Sequence, residues 1–179
     1  MTPCMDVLKA KIWFDGSLDK LKLRIVVRGD IQNKELVGDN WSPTASVRTL
    51  KYFLTDAAKH KARVRQFDFI ETFFQAKVKN REFVKLDSRY EDYFPEYSNY
   101  FVRALRLLKS MYGMNNSRNL FAGELIEWLL EAGFIQYQFH MSIYYKYAPY
   151  GTKIDVLYYV YDCVYWYTSE AIGKWFLDA

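Results

Sequence analysis

The chain has 179 residues, of which 51% are apolar and 26% charged, with a formal net charge of +4. This length suits a single sizeable core, so we expect one domain or a piece of a larger one. The two distant cysteines, Cys4 and Cys163, fit neither a disulfide framework nor a CxxC metal site. No apolar run reaches the roughly 20 residues that span a bilayer, which indicates a cytoplasmic or otherwise intracellular protein without a membrane partner.

The first predicted element is a β-hairpin. Lys11–Phe14 and Leu21–Val27 flank Asp15 and Gly16, and glycine accepts the positive φ that a type I′ turn requires. Basic and apolar residues alternate in the second arm, so its basic side chains share one face. These residues are Lys20, Lys22 and Arg24. The stripe is either a surface for a polyanion or an ordinary solvated strand face.

Helical periodicity predicts three helices. The first is capped by Ser46 and ends near residues 59–61, where cations face the helix dipole. The second begins at Ser117 and stops at Gly133, and the third covers Ser169–Asp178. The core positions of the second helix are Leu120, Phe121, Leu125, Trp128 and Leu129.

Short apolar runs predict the remaining strands. They lie at Val64–Phe69, Glu82–Leu86, Phe101–Leu108, Ile143–Tyr147, Ile154–Val160 and Val164–Tyr167. Strands and helices that alternate without a strict βαβ rhythm imply an α+β fold, with helices on one face of an antiparallel sheet.

Two aspartates close apolar strands. Asp68 follows Val64–Phe67, and Asp162 follows Val156–Tyr161. Carboxylates at the tip of a sheet are suited to hold the divalent metals of a phosphoryl-transfer reaction. From the residues alone, each aspartate is equally consistent with a turn residue at the end of a strand.

Five blocks resemble the copia-type reverse transcriptase of LTR retrotransposons, in that family's order. The blocks, with the family patterns in parentheses, are Lys22–Gly29 (KARLVARG), Trp41–Pro43 (FSP), Gln66–Phe73 (QLDVKTAF), Leu108–Met114 (LKKSLYGL) and Tyr159–Asp162 (YVDD). The resemblance implies the fingers and palm of a right-handed polymerase over residues 1–179, without a thumb or ribonuclease H domain. It also implies an RNA template, a DNA primer and deoxynucleoside triphosphates as partners, and Mg²⁺ or Mn²⁺ as cofactor.

The resemblance also implies roles for particular residues. Asp68, Asp162 and the main-chain carbonyl of Phe69 match metal ligands, with motifs one and three on adjacent palm strands. The positions that match nucleotide contacts are Lys22, Arg24, Phe73, Ser110, Gly113 and Asn116. Phe73 matches a steric gate that excludes a ribose 2′-OH, although a plain core position is an equal alternative. Asn116 stands where the family has the longer glutamine.

Tyr161 departs from the family pattern, because it replaces the first aspartate of YVDD. A phenol with a pKa of about 10 is neutral at pH 7 and is a poor ligand for hard divalent ions. We therefore expect an inactive copy, unless a neighbour such as Asp155 or Asp162 rebuilds the site. The alternatives are a remnant that still binds nucleic acid through its basic stripe and tyrosines, and a structural pseudoenzyme without a ligand.

Overall fold

The computed structural model describes residues 1–38, 40–69, 72–85, 87–93, 104–148, 151–159 and 162–178. The chain divides into two compact units: unit 1 comprises Met1–Trp41 and Phe73–Phe121, and unit 2 comprises Ser42–Thr72 and Ala122–Ala179. Mixed helices and sheets agree with the predicted α+β class. Among the described residues, no helix is long and apolar enough to cross a membrane.

The strands are β1 (Thr2–Ile12), β2 (Leu18–Val27), β3 (Arg63–Asp68), β4 (Phe83–Lys85), β5 (Ala104–Arg106), β6 (Ile135–Tyr137), β7 (His140–Tyr147), β8 (Lys153–Tyr159) and β9 (Asp162–Tyr167). The α-helices are α1 (Lys34–Val37), α2 (Val47–Lys59), α3 (Ser117–Glu131) and α4 (Glu170–Asp178). Short 3-10 helices cover Gly29–Ile31, Thr72–Gln75 and Ser88–Tyr93.

The predicted hairpin is confirmed, but its turn differs from the predicted type. Strands β1 and β2 pair antiparallel, and β1 begins at Thr2, well before the predicted arm. Trp13 N–H donates to the Ser17 carbonyl at 2.8 Å, and Gly16 N–H donates to the Trp13 carbonyl at 3.0 Å. Gly16 has a φ of 84°, whereas Asp15 is not in the left-handed region. The connection is therefore a three-residue loop with glycine at its left-handed position, because a type I′ turn needs two such residues.

Unit 1 holds a four-stranded sheet in the order β2-β1-β4-β5. Strands β1 and β4 pair parallel through Thr2 and Pro3, so the prediction of a purely antiparallel sheet is wrong for this unit. Strands β4 and β5 are shorter than predicted, and Leu86 and residues 101–103 lie outside the described residues. The core of the unit contains Val27, Val84, Leu107 and Met114.

The predicted helix ends are confirmed by their caps. The Ser46 hydroxyl oxygen accepts the Thr49 N–H at 3.1 Å, which satisfies one free donor in the first turn of α2. After α3, Gly133 adopts a φ of 81°, and Phe134 N–H donates to the Leu129 carbonyl at 2.9 Å. This bond closes the helix as a Schellman motif. Leu129 is fully buried, as its predicted core position requires.

Unit 2 holds a five-stranded antiparallel sheet in the order β3-β9-β8-β7-β6. On one face, Phe53 and Ala57 of α2 pack in a buried cluster with Leu157 and Trp166. The short strand β6 and the helix α1 of unit 1 were not predicted, because each has too few residues for a periodic signal.

Helices also cover the opposite face of this sheet. Tyr165, adjacent to Trp166 and therefore on the other face, lies 5.0 Å from the Phe176 ring of α4 between centroids. Phe176 also contacts Phe67 of β3 and Trp128 of α3, with centroids 5.8 and 5.9 Å apart. The prediction that helices pack on one face is therefore wrong for unit 2. The physical reason is that β9 ends in three consecutive buried aromatic residues, so both faces of the strand need a packing partner.

A buried polar cluster lies on the α2 side of the sheet. Asp155 is 1% exposed, and its carboxylate accepts hydrogen bonds from the Tyr137 hydroxyl at 2.7 Å and from Lys153 Nζ at 3.1 Å. Lys153 Nζ lies over the Trp166 ring, 4.8 Å from its centroid. Burial raises the pKa of Asp155, while the hydrogen bond from Tyr137 and the charge of Lys153 oppose the shift.

The raised pKa predicts how stability depends on pH. Below its ordinary pKa of 3.8, Asp155 is protonated in both the folded and unfolded chains, and its favourable contribution is fully present. That contribution is lost as pH rises through the higher folded pKa. We expect the free energy of unfolding of the parent to increase, relative to Asp155→Asn, as pH falls from 7 towards 4. Urea unfolding of both chains at several pH values measures this difference, with Asp178→Asn as an exposed control. A difference that does not change with pH would contradict the expectation.

Candidate active site

The two predicted metal-binding aspartates lie directly opposite each other in unit 2. Strands β3 and β9 pair antiparallel in a register that places Asp68 beside Asp162. Directly opposed residues share one face of a sheet, with Cβ atoms about 4.5–5.5 Å apart. The prediction that the two motifs lie on adjacent strands is therefore confirmed. Asp68 is exposed and Asp162 half-buried, and Gln66 Nε2 lies 3.4 Å from a carboxylate oxygen of Asp162.

The main-chain carbonyl of Phe69, a predicted metal ligand, already accepts a hydrogen bond. The donor is the Thr72 hydroxyl, at 2.9 Å. A carbonyl oxygen has two lone pairs, and this bond uses one of them. Thr72 thereby fixes the direction of the carbonyl immediately after Asp68.

Tyr161, the position of the lost aspartate, lies outside the described residues. Asp155 does not replace it. Asp155 pairs with Trp166, four residues along the strands from the Tyr159 and Asp162 pair, which corresponds to about 13 Å. Its carboxylate is also held by Lys153 and Tyr137. The suggestion that Asp155 rebuilds the metal site is therefore wrong.

The donor set around the aspartate pair is incomplete for a divalent metal. Asp68, Asp162 and the Phe69 carbonyl provide fewer than the six oxygen ligands that Mg²⁺ prefers, although water can supply several. In the part of the chain that the structure describes, no group of three or more His, Cys, Asp and Glu residues could hold a metal ion. The described residues alone thus do not fit a tight metal site.

The second group of predicted residues lies in unit 1, around the ring of Tyr112. The Arg24 guanidinium carbon is 5.3 Å from the centroid of this ring, in a cation–π arrangement. The Phe73 ring meets Tyr112 edge to face, with centroids 4.8 Å apart. Phe73 is only 7% exposed, so the core alternative describes its environment in this conformation. The structure therefore brings Arg24 and Phe73 together through Tyr112, for which the sequence predicts no role.

Ser110 and Gly113 hold the chain in place around Tyr112. Ser110 is fully buried, its hydroxyl donates to the Phe73 carbonyl, and its N–H donates to the Ala76 carbonyl at 2.8 Å. Gly113 has a φ of 87°, and a Cβ at this position would lie 2.1 Å from the Val27 carbonyl oxygen. Only glycine permits this approach to β2. In this conformation, both residues position the segment, and Ser110 has no exposed side chain to offer a nucleotide.

Asn116 is buried in a polar network of unit 1. Its Nδ2 donates to the Val37 carbonyl at 3.2 Å and to Glu82 Oε1 at 3.1 Å. Gln32 donates to the other oxygen of the same carboxylate. The side chain is 3% exposed in this conformation, and the nucleotide contact at this position stays a prediction. In this conformation Asn116 donates a hydrogen bond to the buried carboxylate of Glu82.

The basic stripe of β2 is part of a larger basic face. Lys9 of β1 lies directly opposite Lys22, and Lys11 lies opposite Lys20. Cations in direct opposition repel each other, and the pKa of Lys22 is lowered by Arg24 first, followed by desolvation, Lys11 and Lys20. We call Lys9, Lys11, Lys20, Lys22 and Arg24 the basic face. Sequence reasoning missed its two β1 members, although their alternation before the predicted turn was the available signal.

Comparison with known proteins assigns the chain to a family. The family described as reverse transcriptase (RNA-dependent DNA polymerase) matches residues 7–173. The chain is also similar to the Retrovirus-related Pol polyprotein from transposon RE2 of Arabidopsis thaliana, at 26% identity over 134 residues. That alignment covers 74% of this chain and 9% of the polyprotein. No solved structure matches significantly. Because the family match extends over nearly the whole chain, the protein belongs to the reverse transcriptase (RNA-dependent DNA polymerase) family.

Proposed function

We propose that the chain is the fingers and palm portion of a copia-type retrotransposon reverse transcriptase. Enzymes of this kind use an RNA template, a DNA primer and deoxynucleoside triphosphates. Unit 1 contains the block that resembles the fingers strand, from Lys22 to Gly29, and is proposed as the fingers. Unit 2 contains Asp68 and Asp162, whose blocks resemble the palm motifs, and is proposed as the palm.

The observation that carries this proposal is the register of β3 and β9. Two motifs separated by more than 90 residues in sequence contribute aspartates to one face of one sheet, in direct opposition. Random strand-end aspartates have no reason to converge in this way, because like charges directly opposite each other are destabilising. Residues that stay in place despite such an electrostatic cost commonly belong to a functional site.

The proposed roles follow from charge and position. Lys22 and Arg24 would neutralise the triphosphate of an incoming nucleotide, and Phe73 would act as the steric gate only if its ring became accessible on substrate binding. Ser110, Gly113 and Asn116 would support this surface from beneath rather than contact the nucleotide. The resemblance implies Mg²⁺ or Mn²⁺ as cofactor, but Asp68, Asp162 and the Phe69 carbonyl alone do not fit a tight site for such an ion.

We further propose that this copy does not polymerise DNA, because Tyr161 stands at the position of a metal-binding aspartate. A neutral phenol does not replace the charge of a carboxylate at pH 7. The two remaining aspartates leave the donor set short by one carboxylate. Asp155, the nearest alternative along β8, is held in its own buried cluster.

A second candidate function is nucleic-acid binding without catalysis, and the basic face favours it. Its five cations lie on one side of the hairpin, and none forms an ion pair with a described residue. A row of this kind attracts the phosphates of a polyanion without sequence preference. This binding would persist whether or not the palm holds metal.

We predict that the purified chain does not extend a primer on an RNA or DNA template with either Mg²⁺ or Mn²⁺. The physical reason is the lost carboxylate at position 161. A gel-based extension assay measures this, with Asp68→Ala as the background control. Metal-dependent incorporation by the parent above the Asp68→Ala background would contradict the proposal that this copy is inactive.

We predict that Tyr161→Asp creates a Mn²⁺ site that the parent lacks. A third carboxylate added to Asp68 and Asp162 approaches the donor set from which a tight divalent site is built. Binding should tighten as pH rises through the range in which the carboxylates lose their protons. Isothermal titration calorimetry measures the affinity. Tyr161→Asn is the control, because asparagine has the shape of aspartate without its charge.

The matched double variant Tyr161→Asp/Asp68→Ala should lose this Mn²⁺ binding. If Tyr161→Asp remains folded and binds Mn²⁺ no better than Tyr161→Asn, then position 161 does not converge with Asp68 and Asp162. That result would overturn the proposed palm site without affecting the basic face.

We predict that the chain binds single-stranded RNA with an affinity that falls as salt rises. Each neutralised phosphate contributes about 0.7 to the slope of log affinity against log salt. Lys22→Ala/Arg24→Ala should therefore reduce the magnitude of this slope by about 1.4. Fluorescence anisotropy at several salt concentrations measures it, and Lys59→Ala/Lys61→Ala in unit 2 is a charge-matched control. Equal slopes for the two double variants would remove the basic face from RNA binding.

A further inference from the structure

The far half of the β1-β2 hairpin is a two-stranded ribbon without cover. Strand β4 pairs with β1 only at Thr2 and Pro3, and β2 is the edge strand of its sheet. From Leu8 to Leu23, every residue of the ribbon is exposed. A two-stranded ribbon is marginal in water when neither face is buried. We therefore expect a partner to cover one face of the ribbon, and the sequence of the two strands indicates which face.

On the side of the ribbon opposite the basic face, every residue with a cross-strand partner is apolar. Leu8 lies opposite Leu23, and Ala10 lies opposite Leu21. The register shifts by one residue after Lys11, so that Ile12 pairs with Leu18 and extends the apolar row. We call Leu8, Ala10, Ile12, Leu18, Leu21 and Leu23 the apolar face. Its five large side chains are 58–65% exposed.

The tip of the hairpin also exposes two aromatic rings. Trp13 is 61% exposed, and the Phe14 side chain is fully exposed. Contiguous apolar patches of this kind are uncommon on soluble monomers, where they mark interaction sites. Aromatic rings at such a site contribute about 150–250 Å² of buried area each when a partner covers them.

We propose that a second copy of this chain covers the apolar face, with the two ribbons packed face to face around a two-fold axis. The apolar face has no polar side chain that a different partner would have to satisfy, and an identical face is therefore complementary to it. A two-fold interface uses the same patch on both copies. Stacked sheets lie about 10 Å apart, which suits interdigitated leucine and isoleucine side chains.

The distribution of charge selects this arrangement over pairing along strand edges. Two copies that paired through the free edge of β2 would line up Lys20, Lys22 and Arg24 with the same cations of the other copy, which is unfavourable. Face-to-face packing instead directs both basic faces outward, away from each other. The apolar face is buried, and the cations remain available to solvent or a polyanion.

The area available is sufficient for a stable pair. Each copy contributes five large aliphatic side chains, each more than half exposed, and the fully exposed Phe14 ring at the tip of the hairpin. Specific interfaces bury about 800 Å² from each partner. Five aliphatic side chains and one phenylalanine ring are of the right order for this area.

The proposal predicts a dimer whose stability increases with salt. Hydrophobic contacts do not weaken as salt rises, while repulsion between the two sets of cations is screened. Sedimentation velocity of the nuclease-treated full chain, over a range of concentration and salt, measures the dissociation constant. Leu8→Ser/Leu23→Ser should raise this constant by more than about tenfold. Phe139→Ser/Leu177→Ser, which changes two exposed apolar side chains of unit 2, should leave it unchanged.

Cross-linking identifies the face that makes the contact. In a Cys4→Ser background, Ala10→Cys and Lys9→Cys place thiols on adjacent residues that point to opposite faces. A short bis-maleimide should link two chains through Ala10→Cys and not through Lys9→Cys. Equal cross-linking of both variants would overturn the proposal.

Three further results would also overturn it. They are a parent that stays monomeric at high concentration and high salt, a dimer that disappears on nuclease treatment, and a monomer that floats with anionic vesicles through the apolar face. Because the oligomeric state is measured without template, primer or metal, failure here leaves the proposed polymerase ancestry intact.

Discussion

The alignment of β3 with β9 is the constraint on which the rest of unit 2 depends. A shift of one residue would turn every side chain of a strand to the other face of the sheet. Trp166 would then leave the α2 cluster, and Tyr165 would leave the ring of Phe176. Since both faces are buried, only one register is compatible with the core. The same register places Asp68 beside Asp162, so the core of the sheet fixes the position of the carboxylates.

In unit 1, the residues expected to contact a nucleotide are largely the ones that hold the chain together. Ser110 fixes the Phe73 carbonyl, Gly113 allows close approach to β2, and Asn116 satisfies Glu82. A segment that lies beneath a binding surface must itself be rigid, and buried hydrogen bonds provide that rigidity. Arg24 belongs to the basic face, and its guanidinium lies over the Tyr112 ring. It therefore connects the basic face to this buried segment.

The features that the sequence predicts correctly depend on local signals. Ser46 caps α2 through a bond to a residue three positions away, and Gly133 ends α3 through its own backbone conformation. Long-range pairing carries no such signal. The Lys153 and Asp155 pair looks like a solvated strand end in sequence, and only the tertiary fold buries it beneath Trp166. The second helical layer on unit 2 was missed for the same reason. The opposition of Asp68 and Asp162 was expected only because of a family resemblance.

The fold does not rely on Asp68 and Asp162, the proposed metal carboxylates, so a chain of this family can keep its sheet if a metal ligand is lost. Asp68 is exposed, Asp162 is half-buried, and neither forms an ion pair with a described residue. Carboxylates directly opposite each other on a sheet are unfavourable for folding when no metal is bound. Active sites are commonly less than optimal for stability, and a substitution within them can be neutral or favourable for folding. The aromatic core of β9, by contrast, has no such freedom, because Tyr165 and Trp166 each fill a different buried layer. The proposed loss of a carboxylate at position 161 is therefore physically compatible with retention of the sheet.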